Sequence, residues 1–165
     1  NDPRLEATVL NLKQLAADDQ ASYIAGYQDT GYFLNKFTPR QQDVTTGTGD
    51  AVLNYRQDTY AIRLADTYLM EAEALGSGPR AQALLDAVRA RVGLTPIPVN
   101  QTNIMNERRM ELAGEGFRFF DLVRTGQAAT KLASRGFVAG KNEIFPIPYQ
   151  ELENTKIVQN PNYIN

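Results

Sequence analysis

The sequence predicts an all-α chain, built as a close-packed helix pair with a charged helical stretch and long irregular loops. Three observations predict it. On a helical wheel, Leu64, Leu75, Tyr68, Ala61, Ala72, Ala65, Leu69 and Ile62 fall in one arc of about 160°, while Arg63, Asp66, Thr67 and Glu73 lie outside it. Gly76-Ser77-Gly78-Pro79 then ends that helix and begins another, because proline suits a first helical position. Residues 18–57 instead mix Gly26, Gly31, Gly47, Gly49, Pro39 and polar tracts such as Gln41-Gln42-Asp43 with scattered aromatics and no period. A loop of that length without regular structure is commonly a functional one.

Taken in order, residues 1–17 read as weakly helical through Leu5, Val9, Leu12 and Leu15. With the irregular region they make a first stretch, 1–57, containing one short extended piece near Tyr32–Phe37. The helix pair occupies 58–92. Its second helix places Ala83, Ala87, Leu84, Val88, Ala81 and Val92 on one side and closes at Gly93, a residue suited to a left-handed cap. Small residues at the contact let two helix axes approach closely. The pair resembles one tetratricopeptide-type repeat, and no second copy follows at a fixed period. Thr95-Pro96-Ile97-Pro98 links it to charged helices over 102–125, broken near Gly116. The stretch 136–165 is an irregular tail. There Phe145-Pro146-Ile147-Pro148 is extended, since each proline disfavours the α region in the residue before it.

Composition narrows the chemistry. The 165 residues are 42% hydrophobic and 22% charged, with a formal net charge of −2 and no basic run, so a nucleic-acid partner is not expected. Cysteine and histidine are both absent, which removes disulfides, thiolate nucleophiles, Ser-His-Asp catalysis and most zinc and iron chemistry. Neither a metal nor a cofactor is expected. Asp18-Asp19 could hold a calcium ion, but a lone acid pair is a weak signal without further oxygen ligands. No apolar stretch approaches the roughly 20 residues that a membrane-spanning helix needs.

The segment from Glu107 to Arg124 carries the motif closest to chemistry. Residues 101–125 hold four acids (107, 111, 115, 121) and four arginines (108, 109, 118, 124). On a wheel, Glu111, Glu115 and Arg108 share the arc of Ile104, Leu112 and Met105, so charges sit on the face that packs. Glu111 and Glu115, one turn apart, repel unless a cation lies between them. Two readings follow. Glu115 and Asp121 could act as a carboxylate pair in sugar hydrolysis. Alternatively Arg91, Arg108 and Arg118 pair with Glu111 and Glu115 in a partly buried ion-pair network. Arginine-held carboxylates are poor general acids and arginine suits buried bidentate pairs, so the structural network is favoured and no catalytic residue is assigned.

Five blocks, in order, resemble the carboxy-terminal part of the SusD/RagB family: Tyr60–Ala74, Val88–Leu94, Glu107–Arg124, Gly140–Pro148 and Gln159–Tyr163. Asp2-Pro3-Arg4 is similar to a short block that precedes them. The resemblance implies an all-helical fold in which tetratricopeptide-like pairs support ligand-bearing loops. It implies a surface-exposed location at a Bacteroidetes outer membrane, with anchoring through a lipid absent from this chain. The implied task is non-catalytic binding of oligosaccharides or other nutrient polymers beside a TonB-dependent SusC-like transporter. On this reading the chain is one SusD/RagB-like domain's carboxy-terminal part, 1–165.

Sugar binding uses exposed aromatic faces with polar groups alongside. Tryptophan is absent, so the candidates are Tyr23, Tyr27 and Tyr32, with Asp29, Gln28 and Asn35 nearby. Phe33 and Phe37 are expected to pack, and Phe117, Phe119, Phe120, Leu122 and Val123 to be core. The runner-up function is a helical protein–protein interaction module; a glycoside hydrolase comes third.

Overall fold

The structure, a computed structural model, describes residues 2–40, 43, 44, 47, 50, 55, 56, 58 and 60–164. Gln41, Gln42 and Gly49 of the predicted irregular region lie outside the described residues. The chain divides into two compact units, Asn1–Glu115 and Gly116–Asn165.

The first unit opens differently from the helix expected over 1–17. It contains α1 (Leu5–Thr8), a strand β1 (Val9–Asn11) and α2 (Leu12–Ala17). The strand pairs antiparallel with β2 (Tyr32–Leu34), in the register Val9↔Leu34, Leu10↔Phe33, Asn11↔Tyr32. Tertiary pairing thus overrides a weak helical period, and Asn11 marks the switch back by accepting a hydrogen bond from the Gln14 N–H at 3.1 Å. A 3-10 turn, Asn35–Phe37, follows β2.

Helix α3 runs Leu64–Leu75 and α4 runs Pro79–Ala90. The stop signals act as predicted. Gly76 and Gly78 take positive φ, and Pro79 opens α4. At the far end Gly93 (φ 73°) lets the Leu94 N–H reach the Arg89 carbonyl at 3.1 Å and its own N–H reach that of Ala90 at 3.0 Å, the paired bonds of a Schellman cap. The start of α3 and the burial of the pair need correction. Ala61 and Ile62 precede the helix, Ile62 is 82% exposed, and Leu64 and Leu75 face outward too. Asp66, placed off the packing arc, is buried. On α4, Ala83 and Ala87 are exposed and Leu85 is buried instead.

The core joins α3 and α4 to α5 (Gln101–Glu111), whose amino end is capped by the Asn100 side chain accepting from the Asn103 N–H at 2.9 Å. Leu69, Leu85 and Val88 form one cluster; Ala72, Ala81, Leu84 and Ile104 form the other, with Tyr68 and Val99 against both. Each fully buried leucine contributes roughly 1.5–3 kcal/mol.

The second unit holds α6 (Phe117–Arg124), α7 (Ala128–Lys131) and α8 (Tyr149–Leu152), with 3-10 turns at Ala133–Arg135 and Pro161–Tyr163. The Phe-Pro-Ile-Pro segment is extended, as predicted. Pro146 and Pro148 supply no N–H, and amide side chains do the pairing: Gln159 bonds both the N–H and the carbonyl of Ile147 at 2.8 Å, and Asn160 donates to the Phe145 carbonyl at 2.6 Å. The predicted aromatic core is only partly one. Leu122 is buried, Phe117, Phe119 and Val123 are intermediate, and Phe120 is 59% exposed. Rings of Phe119, Phe120 and Phe145 still touch, at centroid distances of 5.6, 5.4 and 6.4 Å.

Candidate functional site

Helix α5 brings three charged side chains inward, Glu107, Arg108 and Glu111, and the chain surrounds its carboxy end with cations. Glu111 is 1% exposed. Its Oε1 accepts from Arg63 Nη1 at 3.0 Å and Arg91 Nη2 at 2.9 Å; its Oε2 accepts from Arg4 Nη1 at 3.0 Å and Arg91 Nη2 at 2.8 Å. Its backbone carbonyl, at the negative end of the helix dipole, accepts from Lys36 Nζ at 2.8 Å and Arg63 Nη2 at 2.9 Å. Glu115 accepts from Lys36 at 2.8 Å and Arg63 at 2.9 Å, and Glu107 from Arg4 at 2.5 Å and Arg89 at 2.7 Å. Asp2 completes the set by pairing with Arg4 at 2.6 Å.

These partners answer the repulsion between Glu111 and Glu115: Arg63 bridges both. Burial pushes the Glu111 carboxyl up, but hydrogen bonds from Arg4, Arg91 and Arg63 outweigh it and hold it below the ordinary glutamate range. Burial alone would likewise lower Arg4, whereas Asp2, Glu111 and Glu107 hold it above the usual arginine value. The Arg4 side chain holds Asp2 down at about 2.

Of the predicted network residues, Arg91, Glu111 and Glu115 lie together here. Arg108 pairs elsewhere, donating to the buried Asp66 at 2.7 Å. Arg118 belongs to the second unit. Sequence reasoning missed Arg4, Lys36, Arg63, Arg89 and Glu107. A signal existed for Arg4 and Arg63, which stand in the Asp2-Pro3-Arg4 and Tyr60–Ala74 blocks; for Lys36 there was none. Glu115 and Asp121, the pair weighed for hydrolysis, fall in different units, and Asp121 accepts from Arg124 at 2.7 Å.

Beside the network opens a cleft of about 450 Å³. Arg4, Lys36, Arg63, Arg91, Glu111 and Glu115 line its polar side, and Pro3, Ala7, Tyr60 and Val92 its apolar side. The Arg63 guanidinium sits 5.6 Å from the Tyr60 ring centroid.

The candidate ligand tyrosines lie on the loop between α2 and β2 and on β2 itself. Asp29 organises that loop, accepting from the Gly31 N–H at 2.7 Å, the Gly26 N–H at 3.3 Å and the Tyr23 hydroxyl. The Gly31 bond leads in lowering the Asp29 carboxyl, and the Asp29 carboxylate raises the Tyr23 phenol. Tyr23 packs edge-on against Phe33 at 6.2 Å. Asp29 and Tyr23 thus join in ordering this loop. Tyr27, 94% exposed, and Tyr32, more than half exposed, present open faces. Phe33 is partly exposed, not packed away as expected. The carboxylate of Asp18 accepts from Gln14, and among the described residues no group of three or more acidic, histidine or cysteine side chains could hold a metal. No helix among the described residues is long and apolar enough to cross a membrane.

The sequence profile of the SusD family matches residues 1–163, and the chain belongs to that family. It is 72% identical to a solved laminarin-binding SusD-like protein, with a TM-score of 0.93 over 98% of this chain and 35% of that one. It is also similar to surface glycan-binding protein A from Bacteroides thetaiotaomicron, solved in complex with laminarihexaose (34% identity, TM-score 0.86, 99% of this chain, 38% of that one). Among curated proteins it matches SusD-like protein P38 of Formosa agariphila, 33% identical over an alignment of 119 residues that covers 61% of this chain and 24% of the relative. The chain thus spans between a quarter and two fifths of these relatives' length.

Proposed function

We propose that this chain is the carboxy-terminal part of a non-catalytic, surface-exposed glucan-binding protein with laminarin-type oligosaccharides as ligands. The carrying observation is the 72% identity and 0.93 TM-score to a laminarin-binding SusD-like protein, joined by a second relative solved with laminarihexaose. The local geometry supports it: Asp29 and Tyr23 pin a loop that holds Tyr27 open to solvent, with Tyr32 on the adjoining strand. A pre-ordered aromatic face loses little entropy when a sugar ring stacks on it. The carboxylates serve arginines and a lysine, which supports binding without bond cleavage.

The place of action is the outer membrane, where a lipid anchor on a longer chain and a SusC-like TonB-dependent transporter complete the uptake system. Exposed Leu64 and Leu75, eleven residues apart and so on the same side of α3, support a face covered by protein in that assembly.

Calorimetric titration with laminarihexaose, beside maltohexaose as the α-linked comparison, tests the reading. Binding of the first, weakened about ten-fold or more by Tyr27→Ala, is expected. No heat from laminarihexaose at millimolar concentration would refute it.

A further inference from the structure

The cleft beside the end of α5 has the makings of a second saccharide contact, separate from the tyrosine loop. Its volume of about 450 Å³ lies within the range of small-ligand sites, roughly 300–1,000 Å³. Tyr60, 59% exposed, lines it, with Pro3 and Val92 adding apolar surface. Such a wall suits the C–H face of a pyranose.

Its polar groups have one set of donors to spare. Glu111 and Glu115 are engaged by Arg4, Arg63 and Lys36 from within. Arg91 is held to both oxygens of Glu111 through a single nitrogen, Nη2, and its side chain is 55% exposed. Among the described residues its Nε and Nη1 have no partner, so they can donate into the cleft from a guanidinium whose position Glu111 fixes. The carboxylate of Glu115, with one bond to each oxygen, keeps acceptor capacity on the same wall.

Charge decides the ligand class. Five cations (Arg4, Lys36, Arg63, Arg89, Arg91) face four acids (Asp2, Glu107, Glu111, Glu115), so the network is nearly neutral. Two of those acids line the cleft itself. An anionic sugar entering it meets Glu111 and Glu115 as well as the arginines. A hydroxyl, which both donates and accepts, matches a guanidinium beside a carboxylate. We infer that this cleft is a subsite for a neutral hexose of a glucan chain, with Tyr60 as its stacking face and Arg91 as its hydroxyl donor. The inference rests on the glucan-binding reading above and deepens it by adding a second glucan contact on this chain.

With eight tyrosines and no tryptophan, tyrosine emission reports binding directly. The chain, Tyr60→Ala and Arg91→Ala are titrated with laminarihexaose, each first checked for an unchanged helical circular dichroism spectrum. About ten-fold weaker binding in each variant is expected. In the unsubstituted chain, NMR shifts of the Arg91 Nε–H and the Val92 methyls on adding laminarihexaose are expected and stay informative should a variant fail to fold. Wild-type affinity in both variants, or unmoved Arg91 and Val92 signals while the sugar binds, overturns the subsite and leaves the loop reading intact. Absence of laminarihexaose binding by the unsubstituted chain overturns both. Tighter binding of an oligoglucuronate of equal length overturns the neutral-sugar assignment.

Discussion

Replacing Glu111 by Gln keeps the size and shape of the side chain and removes its charge. In the native chain each carboxylate oxygen takes two arginine donors, Oε1 from Arg63 and Arg91 and Oε2 from Arg4 and Arg91. A glutamine offers one oxygen for these; its amide would turn N–H groups toward a guanidinium. Arg91, half exposed, can swing into water, whereas Arg4 and Arg63 are held by the surrounding protein. Breaking a buried ion pair by removing one partner costs about 3–5 kcal/mol, because the stranded charge keeps its desolvation penalty. With a urea m-value of about 2 kcal/mol/M, the unfolding midpoint of E111Q should fall by about 1.5–2.5 M. The assay is urea denaturation at pH 7 followed by circular dichroism, with Glu71→Gln as comparison. Glu71 and Arg80 form an exposed pair 2.8 Å apart, and its loss should leave the midpoint unresolved from wild type. A double-mutant cycle of E111Q with Arg63→Ala should show coupling of at least about 1 kcal/mol. A midpoint shift below about 0.5 M for E111Q, or additivity in the cycle, would refute the view that this network holds the first unit together.

Arg108→Ala strands the buried Asp66 carboxylate and should destabilise by about 3–5 kcal/mol, read as a lowered melting temperature; an unchanged value defeats the prediction. Gly114→Ala combines a positive φ of 81° with a Cβ placed 2.6 Å from Leu34 Cδ2, so a loss of about 1–3 kcal/mol is expected in the same urea assay. Acid sensitivity follows from the lowered carboxyls. Asp2 falls from 3.8 to about 2 in the folded chain and Glu111 lies below 4.5, so their stabilisation is full above those ordinary values and is lost as pH falls through the folded ones. Asp2→Asn should therefore flatten the decline in stability between pH 3.8 and about 2, and a profile identical to wild type there counts against the Asp2–Arg4 bond.

The amino-acid order by itself determined the helix pair. Glycines and a proline at 76–79 leave a helix no way to continue, and Gly93 closes α4 whatever surrounds it. The five blocks from Tyr60 to Tyr163 identified the family, and the wheel showed that Glu111 and Arg108 lie on the packing face, where both are buried. Those are local properties, set by backbone sterics and a 3.6-residue period. What the period could not assign was partnership. Glu111 is met by Arg4, 107 residues away, by Arg63, 48 away, and by Arg91, 20 away, while Arg108 turns instead to Asp66. The path of the intervening chain chooses among chemically equal cations, and no spacing encodes that choice. The same holds for Val9–Asn11, helical by pattern but drawn into a ribbon by Tyr32–Leu34, and for Ile62, Leu64 and Phe120, apolar by pattern yet exposed. Hydrophobicity states what a side chain gains from burial; only the tertiary structure decides whether a neighbour arrives to bury it.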